Sequence, residues 1–226
     1  METLIAEDLL LLLLHDEKGT VVGTINLPPA LGGAVLTELA LTGAVEVEED
    51  PGRWRTAKVH AVAGARPDDP TLAAAYDVVA QRPRTAQDLV TRLGKHLRDE
   101  LARRLVERGI LERRDTKVLG LFPSKRWPTA DPGRERELRF RLTSVLVQGV
   151  QADERTAALV ALLSAVDRAH KVVDLAGLPP KVVRKRAKEI ADGAWAAKAV
   201  KDAIAAATAA VAAVAVAGAV AASSGS

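Results

Sequence analysis

The chain of 226 residues is long enough for a sizeable core, which must be filled by Leu, Val and Ala because aromatic residues make up only 3%. It contains no cysteine, which excludes disulfides and thiolate metal sites. The formal net charge of +3 permits an anionic partner without requiring one, and the alanine-rich composition favours a mainly helical protein.

The amino-terminal segment predicts a central helix rather than a targeting signal. Residues 9–14 form an unbroken leucine run, but the run is short, and acidic residues precede it where a signal peptide would carry lysines. Residues 4–14 are apolar on nearly all sides, which is typical of a helix surrounded by other elements. We expect the chain then to turn and to continue as a strand near residues 20–25.

The next stretch predicts a helix followed by a hairpin. Pro28 and Pro29 lie where a helix begins, and the apolar residues 31–41 form that helix. Gly43 lies where a C-cap glycine is required. The alternation in residues 44–50 then indicates a strand, residues 51–52 (Pro-Gly) a turn, and residues 54–62 the returning strand.

The same order of elements occurs a second time. A helix over residues 71–81 precedes a helical stretch over residues 85–108, which we expect to be interrupted near Gly94 and closed by Gly109. Residues 110–123 then predict a second hairpin. Because a helix, a glycine and a short hairpin form the units of winged-helix modules, we predict a mainly α-helical fold with short β-hairpins in winged-helix-like units.

The remainder of the chain is predicted to be helical, over residues 134–149, 154–169 and 180–191 and in an alanine-rich segment at the end. Residues 203–222 are uncharged, apolar and long enough to span a bilayer. Alanine contributes little to membrane insertion, so a buried core helix is favoured over a membrane span, although both alternatives stay open at this point. Residues 223–226 predict a disordered Gly/Ser tail.

The sequence lacks any pattern of catalytic or metal-binding residues. His15, His60, His96 and His170 are scattered, without a second ligand at metal-binding spacing. There is no glycine-rich phosphate loop and no Gly-x-Ser-x-Gly elbow, and the carboxylates mostly alternate with Arg and Lys on helix faces expected to be solvated. We therefore expect a protein that is not an enzyme, with no catalytic residues, metal or cofactor.

Positive charge is concentrated in the middle of the chain. Residues 84–114 contain nine Lys/Arg and five Asp/Glu, an excess of four that is larger than the net charge of the whole protein. Lys95 and Arg98 are predicted to share one helix face, and Arg104 and Arg108 another. A basic helix of this kind suits phosphate-rich partners, either lipid headgroups or nucleic acid.

A second basic cluster lies after the second hairpin, where Lys125 and Arg126 precede Trp127. This cluster is predicted to contact a membrane or a partner, the alternative for Trp127 being to pack against its own hairpin. For the helix cations the alternative is a solvated surface on which they pair with the acidic residues of the same segment, Asp99, Glu100 and Glu107.

Three ordered blocks of the sequence resemble the Golgi phosphoprotein 3 family: LIAEDLLLLLLHDEKG, LGGAVLTELALTGAVEVE and LRDELARRLVERGIL. The family includes phosphatidylinositol-4-phosphate-binding Golgi adaptors of eukaryotes and many bacterial proteins, and the composition rich in Ala, Arg and Val resembles a bacterial branch. The likeness runs from about residue 3 to 215. It implies a single, mainly α-helical domain over residues 1–222, with a projecting hairpin at residues 110–123.

The resemblance also implies a basic surface pocket for a phosphorylated inositol headgroup. In the family, this pocket combines a tryptophan, an arginine at the start of the second helix and two arginines three residues apart on a later helix. The later pair falls on Lys95 and Arg98, which remain cationic, whereas the tryptophan falls near Gly23 and the first arginine on Gly32. Because glycine cannot replace the bidentate fork of arginine, we expect weaker and less headgroup-specific binding.

The leading hypothesis from the sequence is a non-enzymatic, cytoplasmic protein that associates peripherally with membranes and binds anionic lipid headgroups through Lys95 and Arg98. One alternative is a winged-helix nucleic-acid-binding protein, which is disfavoured because residues 95–108 lack the Asn, Gln and Ser side chains typical of base readout. The other alternative is a scaffold that forms homo-oligomers through its hairpin.

Overall fold

Two helices rich in leucine and alanine occupy the centre of the protein. The computed structural model describes residues 3–15, 17–21, 26–48, 56–118, 122–193 and 198–223. Helix α1, Ile5–Leu13, has every residue buried, and helix α2, Leu27–Leu41, carries Pro28 and Pro29 in its first turn. The fixed φ and missing N–H of proline suit that position. The predictions of a central first helix and of a second helix that begins at the prolines are both confirmed.

The remaining elements pack around this pair. The other helices are α3 (Pro70–Ala80), α4 (Ala86–Leu93), α5 (Leu97–Glu107), α6 (Gly133–Thr143), α7 (Glu154–Ala165), α8 (Pro180–Ala191) and α9 (Lys198–Ser223). The strands are β1 (Val45–Val47), β2 (Lys58–Ala61), β3 (Arg84–Thr85), β4 (Arg114–Val118) and β5 (Phe122–Arg126). The predicted fold class, mainly α-helical with short β-hairpins, is confirmed.

Both helix–glycine–strand units are present. Gly43 and Gly109 follow α2 and α5 with φ of 70° and 72°, a left-handed conformation that favours glycine at a helix end. After Gly43, β1 pairs with β2, and β2 with β3, in an antiparallel sheet in which Val45 lies opposite Ala61. After Gly109, β4 and β5 form the second hairpin. The predicted turn at residues 51–52 lies outside the described residues, as do residues 22–25 of the strand predicted after α1.

One predicted helix break is confirmed, and two other predicted helices differ from the observed ones. The helical stretch over 85–108 is divided into α4 and α5, as expected from Gly94. The helix predicted over 134–149 is α6 followed by a turn of π-helix, Ser144–Gln148, whose Leu146 and Val147 carbonyl oxygens accept hydrogen bonds from Arg186 Nη1 at 3.0 and 2.9 Å. The helix predicted over 154–169 ends earlier, because α7 stops at Ala165.

The alanine-rich helix α9 is a core helix in the part whose side chains are described. Five of its residues are buried, namely Ala203, Ile204, Ala207, Ala210 and Val211. They pack on α2, α4 and α7, and small side chains allow this close approach. Among the described residues, no helix combines the length and hydropathy needed to cross a membrane. Ser223, the first residue of the predicted tail, is the last residue of α9, and residues 224–226 lie outside the described part.

Candidate headgroup-binding site

The predicted headgroup-binding pair lies at the junction of α4 and α5, with Lys95 in the turn between the helices and Arg98 in the first turn of α5, so the prediction that the two share one helix face is wrong. Gly94 ends α4, and His96 adopts a left-handed conformation, with φ of 61°, before α5 begins. Gly94 approaches α2 so closely that a Cβ atom on it would lie 1.9 Å from the carbonyl oxygen of Pro28. Lys95 is exposed and Arg98 is partly exposed. The backbone at this pair is therefore held against the core, while the side chains have access to solvent.

Ion pairing separates Lys95 and Arg98 from the other cations of residues 84–114. Seven of the nine Lys/Arg in this segment form ion pairs: Arg84, Arg92, Arg103, Arg104, Arg108, Arg113 and Arg114. Lys95 and Arg98 form none with any residue that the structure describes, and the buried Nε of Arg98 has no hydrogen-bond partner there. Of the nine cations in this segment, these two are therefore the ones whose charge no described carboxylate matches.

Arg104 and Arg108 share a helix face, but that face is turned toward the interior. Arg104 Nε lies 2.9 Å from Glu7 Oε1, and Arg108 Nη1 lies 3.1 Å from Glu7 Oε2. Arg104 Nη2 also lies 2.7 Å from Asp69 Oδ2. Because both guanidinium groups are engaged by carboxylates, neither belongs to a surface for phosphate. Of the expected pairs within this segment, Arg103 with Glu107 is present at 2.6 Å.

Two more buried carboxylates hold the amino-terminal segment. Asp8 accepts hydrogen bonds from Nη2 and Nε of Arg134, and Arg134 Nη2 lies 2.8 Å from Asp8 Oδ2. Glu38 Oε1 lies 2.6 Å from Arg155 Nη1, and Glu38 Oε2 accepts the Ile5 amide at 2.7 Å. The expectation that carboxylates lie on solvated faces is therefore wrong for Glu7, Asp8 and Glu38. A carboxylate inside an otherwise apolar helix was the available signal for a buried ion pair.

Burial governs the ionisation of these groups. It raises the pKa of the Asp8 carboxyl above its usual range, although hydrogen bonds from Arg134 and Thr3 act in the opposite direction. Burial raises the pKa of Glu38 in the same way, against the hydrogen bond from Arg155. Such groups serve structure rather than ligand binding, because their charges are already matched inside the protein.

The second basic cluster approaches the start of α5, and it lies within the second hairpin rather than after it as predicted, because Lys125 and Arg126 belong to β5. Lys125 Nζ on β5 lies 2.9 Å from Asp99 Oδ2, and both side chains are about half exposed. A groove of about 450 Å³ lies between α5 and the hairpin, bordered by Arg103, Val106 and Trp127 among others. Lys95 and Arg98 are not part of its wall. The structure thus brings Lys125 to the same end of α5 as the predicted pair.

A comparison with known proteins identifies the family of the chain. The sequence model of the Golgi phosphoprotein 3 (GPP34) family matches residues 5–207, which reach from α1 into α9. The chain belongs to the Golgi phosphoprotein 3 family. It is also similar to the Vacuolar protein sorting-associated protein 74 of Eremothecium gossypii, with 29% identity over 160 residues, 62% of this chain and 48% of the relative. The chain thus spans about half the length of that relative.

Membership of the Golgi phosphoprotein 3 family draws attention to Gly32, where the resemblance places an arginine. Gly32 is buried at the crossing of α2 and α4, and a Cβ atom on it would lie 2.1 Å from the Val90 carbonyl oxygen and 2.8 Å from the Gly94 amide nitrogen. No side chain fits there without moving backbone. The tryptophan position, Gly23, lies outside the described residues.

The prediction that Trp127 contacts a membrane or a partner is wrong for this Golgi phosphoprotein 3 member. Trp127 is 4% exposed and belongs to the core. Its backbone amide donates to the Gly19 carbonyl oxygen at 3.2 Å, which ties the strand end to the loop after α1. Trp127 borders the groove between α5 and the hairpin, while Lys125 is exposed and Arg126 partly exposed. Sequence alone gave Trp127 no feature that distinguishes a core ring from a surface ring.

The side chains of this Golgi phosphoprotein 3 member that could bind a metal ion lie apart from one another in the described structure. In the described part of the chain, no cluster of three or more His, Cys, Asp and Glu side chains could hold a metal ion. His170 is buried, and its Nε2 lies 3.2 Å from Arg184 Nη2. Burial and the neighbouring Arg184 charge lower the pKa of His170, which favours the neutral imidazole.

Proposed function

We propose that this member of the Golgi phosphoprotein 3 family is a peripheral membrane protein that binds anionic, phosphoinositide-type headgroups at Lys95 and Arg98, without catalysing a reaction. One observation carries the proposal: within residues 84–114, the two cations without an ion pair among the described residues are the two that the resemblance assigns to the headgroup. Family membership supports the same conclusion. The proposed location is the cytoplasmic face of a membrane.

The chemistry of the pair indicates how selective the binding is. Arg98 can offer two parallel donors to a phosphate, whereas Lys95 contributes a compact charge without a fixed direction. The position at which the resemblance places a further arginine cannot hold a side chain, because Gly32 lies against the backbone of α4. We therefore propose weak discrimination between phosphatidylinositol-4-phosphate and other anionic lipids, with Lys125 and Arg126 adding attraction from the neighbouring strand.

Vesicle co-sedimentation tests the proposal. The protein is mixed with neutral vesicles and with vesicles containing phosphatidylglycerol, phosphatidylinositol or phosphatidylinositol-4-phosphate. We expect the wild type to pellet with each anionic composition, and Lys95→Glu/Arg98→Glu to lose at least tenfold in partition coefficient, because each cation near the surface contributes about 1 kcal/mol. Arg136→Glu/Lys188→Glu is the matched control, since both positions are exposed and carry the same change of charge.

Two results would contradict this function. The first is a wild-type protein that stays in the supernatant with every anionic vesicle at low salt. The second is a Lys95→Glu/Arg98→Glu variant that pellets as well as the wild type. A salt-dependent mobility shift with duplex DNA, lost in the same variant and seen without vesicle binding, would instead identify a nucleic-acid-binding protein.

A further inference from the structure

Contacts between helices show which ends of the elements lie together. Gly94, just before α5, meets Pro28 in the first turn of α2. Gly33, also in the first half of α2, meets Leu162 in the last turn of α7, since a Cβ on it would lie 3.5 Å from Leu162 Cδ2. At the other end, Arg155 in the first turn of α7 binds Glu38 in the last turn of α2. The start of α5 and the end of α7 therefore lie at one end of the bundle, here called the α2-start end.

The connection from α7 to α8 is also at the α2-start end. Asp167 lies two residues after the end of α7 and binds Arg184 in the first half of α8, with Arg184 Nε 2.8 Å from Asp167 Oδ1. The short 3₁₀ turn Ala169–Lys171 lies between them, and α8 begins at Pro180. Lys171 and Lys181 are therefore at the same end of the bundle as Lys95.

Lys171 and Lys181 are unpaired cations. Both are exposed, and neither forms an ion pair within the part of the chain that the structure describes. Of the carboxylates near these groups, Asp167 is paired with Arg184 and Asp99 with Lys125, whereas Asp174 is exposed and forms no ion pair with a described residue. Because Lys95, Lys171 and Lys181 outnumber this one carboxylate, the α2-start end carries an excess of positive charge from separate elements.

The two groups of cations lie on different sides of α2. Gly32 contacts α4, whereas Gly33 contacts α7 and α9, and successive residues of a helix point about 100° apart. A single headgroup bound at Lys95 would not reach both groups. A flat anionic surface placed across the end of the bundle would meet both, since it offers phosphates over its whole area.

We propose that Lys171 and Lys181 form a second contact with the anionic bilayer, so that the protein docks end-on, with the α2-start end against the membrane. The proposal rests on the lipid-binding function and adds an orientation and a second set of residues to it. Lys95 and Arg98 supply the headgroup contact, and Lys171 and Lys181 supply attraction to the surrounding lipid surface.

Vesicles containing phosphatidylglycerol test this orientation with the Lys171→Ala/Lys181→Ala variant. We expect its partition coefficient to fall about 25-fold, because each lysine near the surface contributes a factor of about five. The control, Arg141→Ala/Lys188→Ala, removes two solvent-accessible cations toward the opposite end and should change binding less than twofold. Arg141 borders the same small cavity as Ile5 and Arg155, which both bind Glu38, and Lys188 is in the last turn of α8. Circular dichroism and thermal unfolding establish that each variant is folded.

The outcomes separate this inference from the function on which it rests. Equal losses in the test and control variants would show a general effect of net charge and would overturn the proposed orientation. Wild-type binding by Lys171→Ala/Lys181→Ala would overturn it as well, even if Lys95→Glu/Arg98→Glu had lost binding. Binding of soluble inositol phosphate should be unchanged in Lys171→Ala/Lys181→Ala, and a parallel loss of that binding would contradict a separate surface contact.

Discussion

The close approach of α2 and α4 at Gly32 predicts that this position tolerates no side chain. In Gly32→Ala, the new Cβ would lie 2.1 Å from the Val90 carbonyl oxygen, about 1 Å closer than van der Waals contact allows. A backbone oxygen within a helix cannot rotate away, so the two helices must separate. Overpacking of this kind costs about 3 kcal/mol, and the better helix propensity of alanine offsets about 1 kcal/mol of it.

The expected loss for Gly32→Ala is thus about 2 kcal/mol in the free energy of unfolding, or a fall of about 4–8 °C in Tm. Gly33→Ala is the matched control on the same helix, because it gains the same propensity but meets the side chain of Val211, with Cγ2 at 2.5 Å, which can move. Urea and thermal unfolding of both variants measure the difference. Equal stability of the two variants would refute the argument from the backbone contact.

The same contact predicts that Gly32→Arg does not restore the arginine that the family resemblance places there. Its Cβ meets the same backbone atoms, and a guanidinium would have to leave a site enclosed by α2 and α4. We expect poor folding and no gain in vesicle binding. A stable Gly32→Arg protein with stronger phosphatidylinositol-4-phosphate binding would show that the crossing of the helices adapts.

Two further predictions concern buried charge. Arg134→Met should destabilise the protein by about 3 kcal/mol near neutral pH, because Asp8 loses its bidentate partner. The loss should be smaller at a pH well below 3.8, the usual pKa of the carboxyl, where Asp8 is protonated in both states, and a loss that does not depend on pH would contradict this role. The folded state lowers the pKa of His170 below its usual 6.5, so the unfolded chain takes up a proton first as the pH falls. The free energy of unfolding should therefore decrease as the pH falls below about 6.5. Urea unfolding at pH 7.5 and 5.5 should show a larger fall for the wild type than for His170→Gln, and equal falls would contradict the burial argument.

Local rules in the sequence were enough for most of the helices. Proline at 28 and 29 and glycine at 43, 94 and 109 mark boundaries through backbone preferences that act within a few residues. The π-helical turn after α6 could not be predicted in this way, because Arg186 is 40 residues away from the Leu146 carbonyl that it binds. Such contacts depend on how distant elements pack, not on local propensity.

The candidate site was predictable only in part. Counting charge found the basic segment over 84–114, but it could not separate Lys95 and Arg98 from Arg104, whose partner Glu7 is 97 residues earlier. The sequence showed that arginine is missing at Gly32, but the reason, a helix crossing too close for any Cβ, needed the packed structure. Burial of Trp127 likewise depends on the loop at Gly19, which no spacing rule connects to it.

The carboxylates of α1 fix the rotation of this helix about its axis, which its leucines alone do not fix. Residues 9–14 are all leucine, so a turn of this helix about its axis would exchange one leucine for another at nearly every contact. Glu7 and Asp8 remove that freedom, because their partners Arg104 and Arg134 come from two different helices and fix the angle of α1. Replacing these four residues by apolar ones would remove that restraint, so the central helix would populate several rotational settings and side-chain NMR signals from the leucines would broaden.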